Sequence, residues 1–206
     1  MTRFLRCGRE AVLAEVDDLD AALALYAALR EAALPGVTDL VPAARTVLIR
    51  LDPAVTDPAA VREAVAGLEP GGHDHAYAGT VEIPVVYDGP DLPDVAEHLG
   101  ITPEEVVERH TGTPWTVAFA GFAPGFGYLT GGHPSFDVPR RSSPRTRIPA
   151  GSVGLAGRFS GVYPSDSPGG WQLIGTTTSR MWDPARPEPA LLLPGARVIF
   201  KAVDSR

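Results

Sequence analysis

The segment 143–154 carries the residue types best suited to hold a negatively charged oxygen. Arg145 presents a planar fork of N–H donors that matches a carboxylate or a phosphate group. Behind it, residues 151–154 bring backbone N–H groups and the hydroxyl of Ser152 close to the guanidinium, so an oxyanion could lie between the two. We therefore select Arg145 and Ser152 as candidate catalytic residues. An arginine that bonds a carbonyl group and only holds its own loop is an equally good interpretation.

Positive charge is concentrated around this segment. Residues 137–158 contain five arginines and one aspartate, a local charge of +4, whereas the chain of 206 residues carries −7. A basic run within an acidic protein is typical of a site for a small anion, although a solvated arginine-rich loop has the same composition. The overall acidity argues against a nucleic-acid-binding protein, because phosphate contacts need a basic face.

Residues 121–129 combine a rigid loop with aromatic side chains. Pro124 fixes one backbone angle, and the glycines around it permit a positive φ, so the loop should adopt one specific shape. Phe126 would then pack beneath the loop or line a pocket. We select Pro124 and Phe126 as candidate substrate-binding residues, with a purely structural turn as the alternative.

Residues 163–175 form a third candidate segment. The tripeptide Pro168-Gly169-Gly170 predicts a tight turn that exposes backbone donors. Tyr163 and Trp171 could supply an apolar wall, although a tryptophan is more often part of a core, and Gln172 offers a neutral donor and acceptor. The candidate substrate-binding residues of this segment are Tyr163, Ser167, Gly169, Gly170, Trp171 and Gln172.

Histidines offer one further candidate and no metal site. His110 lies at a predicted helix end, where it could act as an acid or base, or simply be satisfied by the helix dipole. His73-Asp74-His75 follows two glycines and fits a surface loop, since one His-x-His pair does not make a metal site. We predict no metal in this chain.

The elements that must position these residues change character along the chain. Residues 1–110 contain 8 glycines and 9 prolines, whereas the shorter span 111–195 contains 14 and 12. This shift favours an α/β first half and a turn-rich, all-β second half. We predict an α+β fold with an N-terminal α+β domain at 1–88, a helical linker at 89–112 and a β-barrel domain at 113–206.

Apolar periodicity predicts two helices and a small antiparallel sheet in the first domain. One helix should follow the acidic residues 17–20 and end before Pro35, and the second should run from Asp57 to Leu68. Val81 to Tyr87 is expected to close this sheet. In the linker, Thr102 and Glu105 have the spacing of a capping box.

The single cysteine, Cys7, cannot form an internal disulfide, which favours the cytoplasm. The N-terminus has no apolar core of a signal peptide, and no apolar run approaches the roughly 20 residues of a membrane span. We predict a cytoplasmic protein with no membrane partner.

Taken in order, the three motifs resemble the family of 5-oxoprolinase B subunits, also known as allophanate hydrolase subunit 1, which includes a sporulation kinase inhibitor. The matching text is GFAPGFGYL at 121–129, PRTRIPAGSVGLAG at 144–157 and GVYPSDSPGGWQLIG at 161–175. Arg145, Ser152, Tyr163, Ser167 and Gln172 match the motif. Phe159 and Thr176 depart from it, because the family usually has glutamine and arginine there.

The resemblance implies a cyclophilin-like C-terminal barrel and a hetero-oligomeric hydrolase. It implies that the chain is the B subunit of an ATP-dependent 5-oxoprolinase, inactive alone, that acts on a small anionic substrate with a larger C subunit and an A subunit. ATP is then a cofactor of the assembled complex. Two alternatives stay open: an inhibitor that binds a histidine kinase, and half of a biotin-dependent carboxyltransferase or allophanate-hydrolase-like enzyme.

Overall fold

The computed structural model describes residues 2–68 and 79–204, which belong to two compact units that divide between residues 75 and 76. His73-Asp74-His75 therefore lies outside the described residues. Each unit has its own hydrophobic core, so each is presented separately.

The first unit is a four-stranded antiparallel sheet with two helices. The strands follow the order β1-β2-β4-β3. Its elements are β1 (Arg3–Arg6), β2 (Ala11–Glu15), α1 (Leu19–Ala32), β3 (Val37–Pro42), β4 (Thr46–Leu51) and α2 (Pro58–Ala66).

Alternation and capping explain why this unit folds as it does. In β2 every second residue is buried, and Val12 and Ala14 face the core with Val47 and Ile49 of β4. Asp57 caps α2 by accepting from two backbone N–H groups, and Pro58 occupies the first helical position as expected.

The second unit is a nearly closed barrel with two short helices and a small accessory sheet. Its elements are β5 (Thr80–Val85), α3 (Leu92–Leu99), α4 (Pro103–Gly112), β6 (Trp115–Ala120), β7 (Gly127–Thr130), β8 (Arg145–Ile148), β9 (Ser152–Ala156), β10 (Phe159–Val162), β11 (Ser167–Gly169), β12 (Gln172–Thr176) and β13 (Arg197–Ala202).

Seven strands form the barrel in the order β12-β9-β10-β7-β6-β13-β5, and β8 pairs with β11 separately. A bridge between Val86, just after β5, and Thr176 of β12 joins the two outer strands, with N–O distances of 2.9 and 2.8 Å. The predicted α+β fold with a C-terminal barrel is confirmed.

The strand predicted to close the N-terminal sheet belongs instead to the barrel. β5 pairs in parallel with β13 along its whole length, from Thr80 opposite Arg197 to Val85 opposite Ala202. Its alternating apolar residues specify a half-buried strand but carry no information on which sheet will bury it. Ile83 and Val85 are fully buried in the barrel core.

The helices expected in a linker also pack within the second unit. Val95 and Ala96 of α3 and Val106 of α4 are buried in the barrel core. The capping box at α4 is confirmed: Thr102 Oγ1 accepts from the Glu105 N–H, and Glu105 accepts from the Thr102 N–H. Across the described residues, no helix has both the length and the apolar character needed to cross a membrane.

Candidate functional site

An aromatic pocket bordered by an arginine lies in the second unit. The cavity has a volume of about 200 Å³. The residues that line it are Phe122, Phe126, Tyr128, Arg140, Pro144, Tyr163, Pro168, Gly169, Gly170 and Trp171. All three motifs of the sequence, or residues next to them, contribute to this wall.

The loop between β6 and β7 holds Phe122 at the mouth of the pocket. Phe122 has a φ of 69° although it carries a side chain, and its ring is 57% exposed. The ring makes edge-to-face contacts with Phe126 and Tyr163, at centroid distances of 5.3 and 6.0 Å. Gly125 is required beside it, because a Cβ there would lie 2.9 Å from the carbonyl oxygen of Met181.

The tight turn predicted at 168–170 is instead the strand β11, which pairs with β8. Its last residue, Gly169, lets the backbone approach the tyrosine in the pocket wall. A Cβ on Gly169 would lie 2.4 Å from the hydroxyl of Tyr163, so only glycine fits there. Burial raises the pKa of the Tyr163 hydroxyl, and the nearby charge of Arg140 opposes that effect. Tyr163 therefore presents a neutral phenol at neutral pH.

Asp91 organises the arginine-rich segment from a distant point in the chain. Its carboxylate is 2% exposed, and Oδ1 accepts from Arg141 Nη1 at 2.8 Å and Arg145 Nη2 at 2.7 Å. Oδ2 accepts from the backbone N–H of Leu173 at 2.7 Å. Asp91 precedes α3 but makes no capping bond to it, because its carboxylate is committed to these three donors.

Arg140 stays available because no acidic side chain in the described part of the chain pairs with it. Arg141 and Arg145 share Asp91, whereas Arg140 lines the pocket wall beside Gly170. These three arginines and one carboxylate leave a local charge of +2. Two donors of the paired arginines, Arg141 Nε and Arg145 Nη1, are buried without an acceptor in the described structure.

The structure brings most of the predicted binding residues together. Phe126, Tyr163, Gly169, Gly170 and Trp171 line the cavity. Three others stand apart from it. Pro124 is exposed on the loop, Ser167 Oγ donates to the Ser165 carbonyl, and Gln172 Nε2 donates to the Pro139 carbonyl at 3.3 Å.

Ser152 and its turn are not arranged to receive an oxyanion. Ser152 is 2% exposed on β9. The Gly151 N–H donates to the Tyr163 carbonyl and the Ser152 N–H to the Pro149 carbonyl, so both donors are already used. A turn at Ala150 and Gly151 leads directly into β9, and the carbonyl groups of Tyr163 and Pro149 take up the two N–H groups.

His110 lies in the barrel core and not at the pocket. Its side chain is fully buried, with Nδ1 2.7 Å from the Tyr87 hydroxyl and Nε2 2.9 Å from Ser160 Oγ. Burial lowers the pKa of His110 to about 3, so the ring is neutral at physiological pH. Its hydrogen bonds and packing make it a structural residue.

The two positions that depart from the family motif have ordinary partners. Phe159 packs edge-to-face against Phe119 and Tyr128. Thr176 Oγ1 donates to Asp88 Oδ1 at 2.8 Å. Neither residue lines the aromatic pocket.

Sequence reasoning missed Asp91 and Arg140 as site residues. Arg140 was visible as part of the basic run, but nothing in the sequence separates it from the arginines beside it. Asp91 falls in the predicted helical linker, and its arginine partners lie 50 and 54 residues away. Among the described residues, no group of three potential metal ligands comes together.

Comparison with known proteins places this geometry among carboxyltransferase-related chains. The family model described as carboxyltransferase domain, subdomain C and D, matches residues 2–192. The chain is 52% identical over 123 residues to the 5-oxoprolinase B subunit of Escherichia coli O157:H7, covering 58% of this chain and 56% of that protein. It is 48% identical over 129 residues to the Bacillus subtilis protein of the same name, covering 61% and 54%. The chain thus spans about half the length of these curated relatives.

Solved structures extend the comparison to the whole chain. TTHA0988 is 37% identical with a TM-score of 0.76, over 100% of this chain and 41% of that one. PH0987, a conserved uncharacterized protein from Pyrococcus horikoshii, is 32% identical with a TM-score of 0.59, over 98% of both chains. The K. lactis urea amidolyase shares the fold at a TM-score of 0.75 and 17% identity, over 98% of this chain and 15% of that one.

Proposed function

The chain belongs to the carboxyltransferase domain, subdomain C and D, family, and on that basis we propose that it is the B subunit of a 5-oxoprolinase. In this proposal it works in the cytoplasm with a larger C subunit and an A subunit, and is inactive alone. The proposal rests on the pocket, which combines aromatic walls with the guanidinium of Arg140. No acidic side chain among the described residues pairs with that guanidinium. The names of the curated relatives that the chain matches support it.

The pocket fits the chemistry of 5-oxoproline, a five-membered lactam that carries a carboxylate. In our proposal Arg140 binds the carboxylate with its planar fork of donors. The ring methylenes lie against Trp171 and Phe126, which supply apolar surface. A small cavity with one cation and several aromatic rings suits a small monoanion with an apolar body.

Ring opening begins with addition of water to the lactam carbonyl, which develops negative charge on the carbonyl oxygen. Collapse of this tetrahedral intermediate breaks the C–N bond, and the released nitrogen takes up a proton from the added water. Donors fixed in advance stabilise such charge most effectively. Asp91 fixes Arg141 and Arg145 beside the pocket, so the field there is positive before substrate binds. We assign Arg145 to this electrostatic role and Asp91 to positioning it.

ATP use is proposed for the assembled complex and for residues of the partner subunits. The sequence contains no Gly-x-x-x-x-Gly-Lys-Ser/Thr loop, and Lys201 is its only lysine. What this chain contributes is the binding and orientation of the lactam.

The test is 5-oxoproline-dependent ATP hydrolysis by the chain co-purified with its partner subunits. Arg140→Gln should lower kcat/KM about 10- to 100-fold, mainly through KM, because a charge-assisted contact is lost. Arg145→Ala should abolish turnover with the fold retained. Arg158→Gln, an exposed arginine of the same basic run, is the matched control and should leave the rate unchanged. Full activity in both Arg140→Gln and Arg145→Ala would refute the site.

A protein-binding inhibitor is the second candidate, favoured by an exposed aromatic patch. Phe122 and Trp182 are 57% and 42% exposed. Both flank Gly125, where an added Cβ would lie 2.9 Å from Trp182 Cβ. Exposed aromatic rings are enriched at protein interfaces. Dose-dependent loss of histidine-kinase autophosphorylation, with no C subunit present, would support this function over the first.

A further inference from the structure

Three arginines line one cavity in the first unit, well away in sequence from the aromatic pocket. The cavity has a volume of about 340 Å³. The residues that line it are Arg6, Gly8, Arg9, Pro53, Thr56, Asp57, Pro58 and Arg62. They come from the end of β1, the β1–β2 turn, the segment after β4 and the helix α2.

The clustering of arginines here is unusual for this unit. Residues 2–68 contain ten acidic residues and seven arginines, a net charge of −3. Elsewhere in the unit Arg3 pairs with Glu15, and Arg45 Nε donates to the Val16 carbonyl. In contrast, no described residue forms an ion pair with Arg6, Arg9 or Arg62. Three like charges beside a single carboxylate, that of Asp57, repel one another, so this arrangement is stabilised when an anion binds.

The one carboxylate in the wall is already committed to the backbone. Asp57 Oδ1 accepts from the N–H groups of Ala59 and Ala60 at 3.0 Å or less. These bonds lower the pKa of Asp57, that of Ala60 most strongly, so it stays ionised. Three guanidiniums and one carboxylate leave a charge of +2 on the wall, which matches a dianion.

Arg62 supplies an observation independent of surface charge. Its side chain is half-buried on α2, and its Nε is buried with no acceptor among the described residues. A buried donor without an acceptor is unfavourable in a folded protein. An anionic oxygen bound in the adjoining cavity would give this donor an acceptor, either directly or after a small movement of the Arg62 side chain towards the anion.

The shape of the wall also favours an anion. Gly8 has a φ of 71° and nothing within 4 Å of its Cβ position, so the β1–β2 turn leaves space beside the arginines. Pro53 and Pro58, which also line the cavity, restrict the backbone there. No aromatic ring lines this cavity among the described residues, whereas the aromatic pocket offers five rings and the guanidinium of Arg140. The first-unit cavity is therefore suited to dense charge and not to an apolar monoanion.

We propose that Arg6, Arg9 and Arg62 form a second anion site that binds the phosphate monoester or diphosphate group of a soluble small molecule. Guanidinium groups bind phosphate oxygens in a planar, two-pronged geometry, and three of them can engage one dianion from different sides. This site is separate from the lactam pocket and goes beyond the proposed function.

The experiment is calorimetric titration of the full chain with pyrophosphate, and with orthophosphate, at neutral pH and low ionic strength. We expect saturable binding with one site per chain. Arg62→Gln should weaken it about tenfold, the loss of one charge-assisted contact, and the Arg9→Gln/Arg62→Gln double variant should reduce it below detection. Circular dichroism confirms that each variant is folded.

Arg50→Gln is the matched control, because Arg50 is an exposed arginine of the same unit that does not line the cavity. The site would be overturned if Arg50→Gln weakened pyrophosphate binding as much as Arg62→Gln does. It would also be overturned if titration with sodium chloride of equal ionic strength gave the same binding signal. Absence of saturable binding would do the same. The assignment to a soluble ligand would be overturned if the chain did not bind pyrophosphate but did co-sediment with phosphatidylcholine vesicles that contain phosphatidic acid.

Discussion

The second unit contains two aromatic clusters with opposite character. The core cluster comprises Tyr87, His110, Trp115, Phe136 and Phe200, and the pocket cluster comprises Phe122, Phe126, Tyr128, Tyr163 and Trp171. Both consist of rings in edge-to-face or stacked contact, with centroid distances such as 4.3 Å for His110 on Phe200 and 5.3 Å for Phe126 on Trp171. They differ in exposure and in whether a charged side chain borders them.

In the core cluster every ring nitrogen has a partner. His110 bonds Tyr87 and Ser160 through its two nitrogens, and Trp115 Nε1 donates to the His110 carbonyl at 3.0 Å. The pocket cluster, in contrast, borders Arg140 and exposes Phe122 in a left-handed backbone conformation. Such conformations are unfavourable for a residue with a side chain and are concentrated at functional sites.

Reactive residue types do not by themselves locate a site. His110 and Ser160, which could pair as base and hydroxyl, are closed off in the core. The functional candidates lie where a charge has no counter-charge among the described residues and borders an open cavity. Three variants test whether the core cluster serves stability and whether Asp91 holds the arginines beside the pocket cluster.

The largest expected effect is loss of stability when the core cluster is opened. Trp115 is fully buried and packs on Gly132. Trp115→Ala should reduce the free energy of unfolding of the second unit by about 3–5 kcal/mol, because it leaves a large cavity. Urea denaturation followed by circular dichroism measures it. Trp182→Ala, at a 42% exposed tryptophan of the same unit, is the control. Equal losses in the two variants would show that the core cluster is not special.

An intermediate loss of stability is expected from Asp91→Asn, which removes the carboxylate that holds Arg141 and Arg145 beside the pocket. Two arginines lose their counter-charge, and we expect a loss of about 2–3 kcal/mol, since Arg141 and Arg145 are partly exposed. The arginine segment should also become open to trypsin at Arg140 and Arg141. Asp94→Asn, at an exposed carboxylate in the first turn of α3, is the control. If trypsin cleaves both variants at the wild-type rate, Asp91 does not hold the segment.

The smallest expected effect is a pH dependence of the unfolding free energy that arises from His110 in the core cluster. The pKa of His110 is lowered from 6.5 to about 3 in the folded chain, so the unfolded chain binds the extra proton between these values. Stability from this group is fully present above pH 6.5 and falls as the pH drops towards 3, by at most about 1.4 kcal/mol per pH unit.

Thermal or urea unfolding of the wild type and of His110→Gln between neutral pH and about pH 5 isolates this contribution, with the reference pKa of histidine as the upper limit. The wild type should lose more stability over that range than His110→Gln, whereas His98→Gln, at an exposed histidine, should follow the wild type. Identical pH profiles for the wild type and His110→Gln would mean that His110 is protonated in the folded chain without cost.

Much of the local structure could be predicted because it depends on neighbouring residues. The capping box at Thr102 and Glu105 and the cap at Asp57 follow from interactions within a few residues. The tight turn predicted at 168–170 is wrong, because pairing with β8 makes this segment the strand β11. The motif residues that line the pocket were found because their types suit it. Ser152 and His110 were selected for the same reason, and their actual partners lie elsewhere in the fold.

What the sequence determined by itself is therefore the α+β class, the positions of the helices and the family, since periodicity, capping and motif text are local. The tertiary structure alone decided that β5 joins the barrel through β13, that Asp91 holds Arg141 and Arg145, and that Arg140 has no acidic partner among the described residues. These outcomes depend on contacts between residues at least 50 positions apart. Competition among nearby arginines for one buried carboxylate is settled by geometry, and no spacing along the chain encodes it.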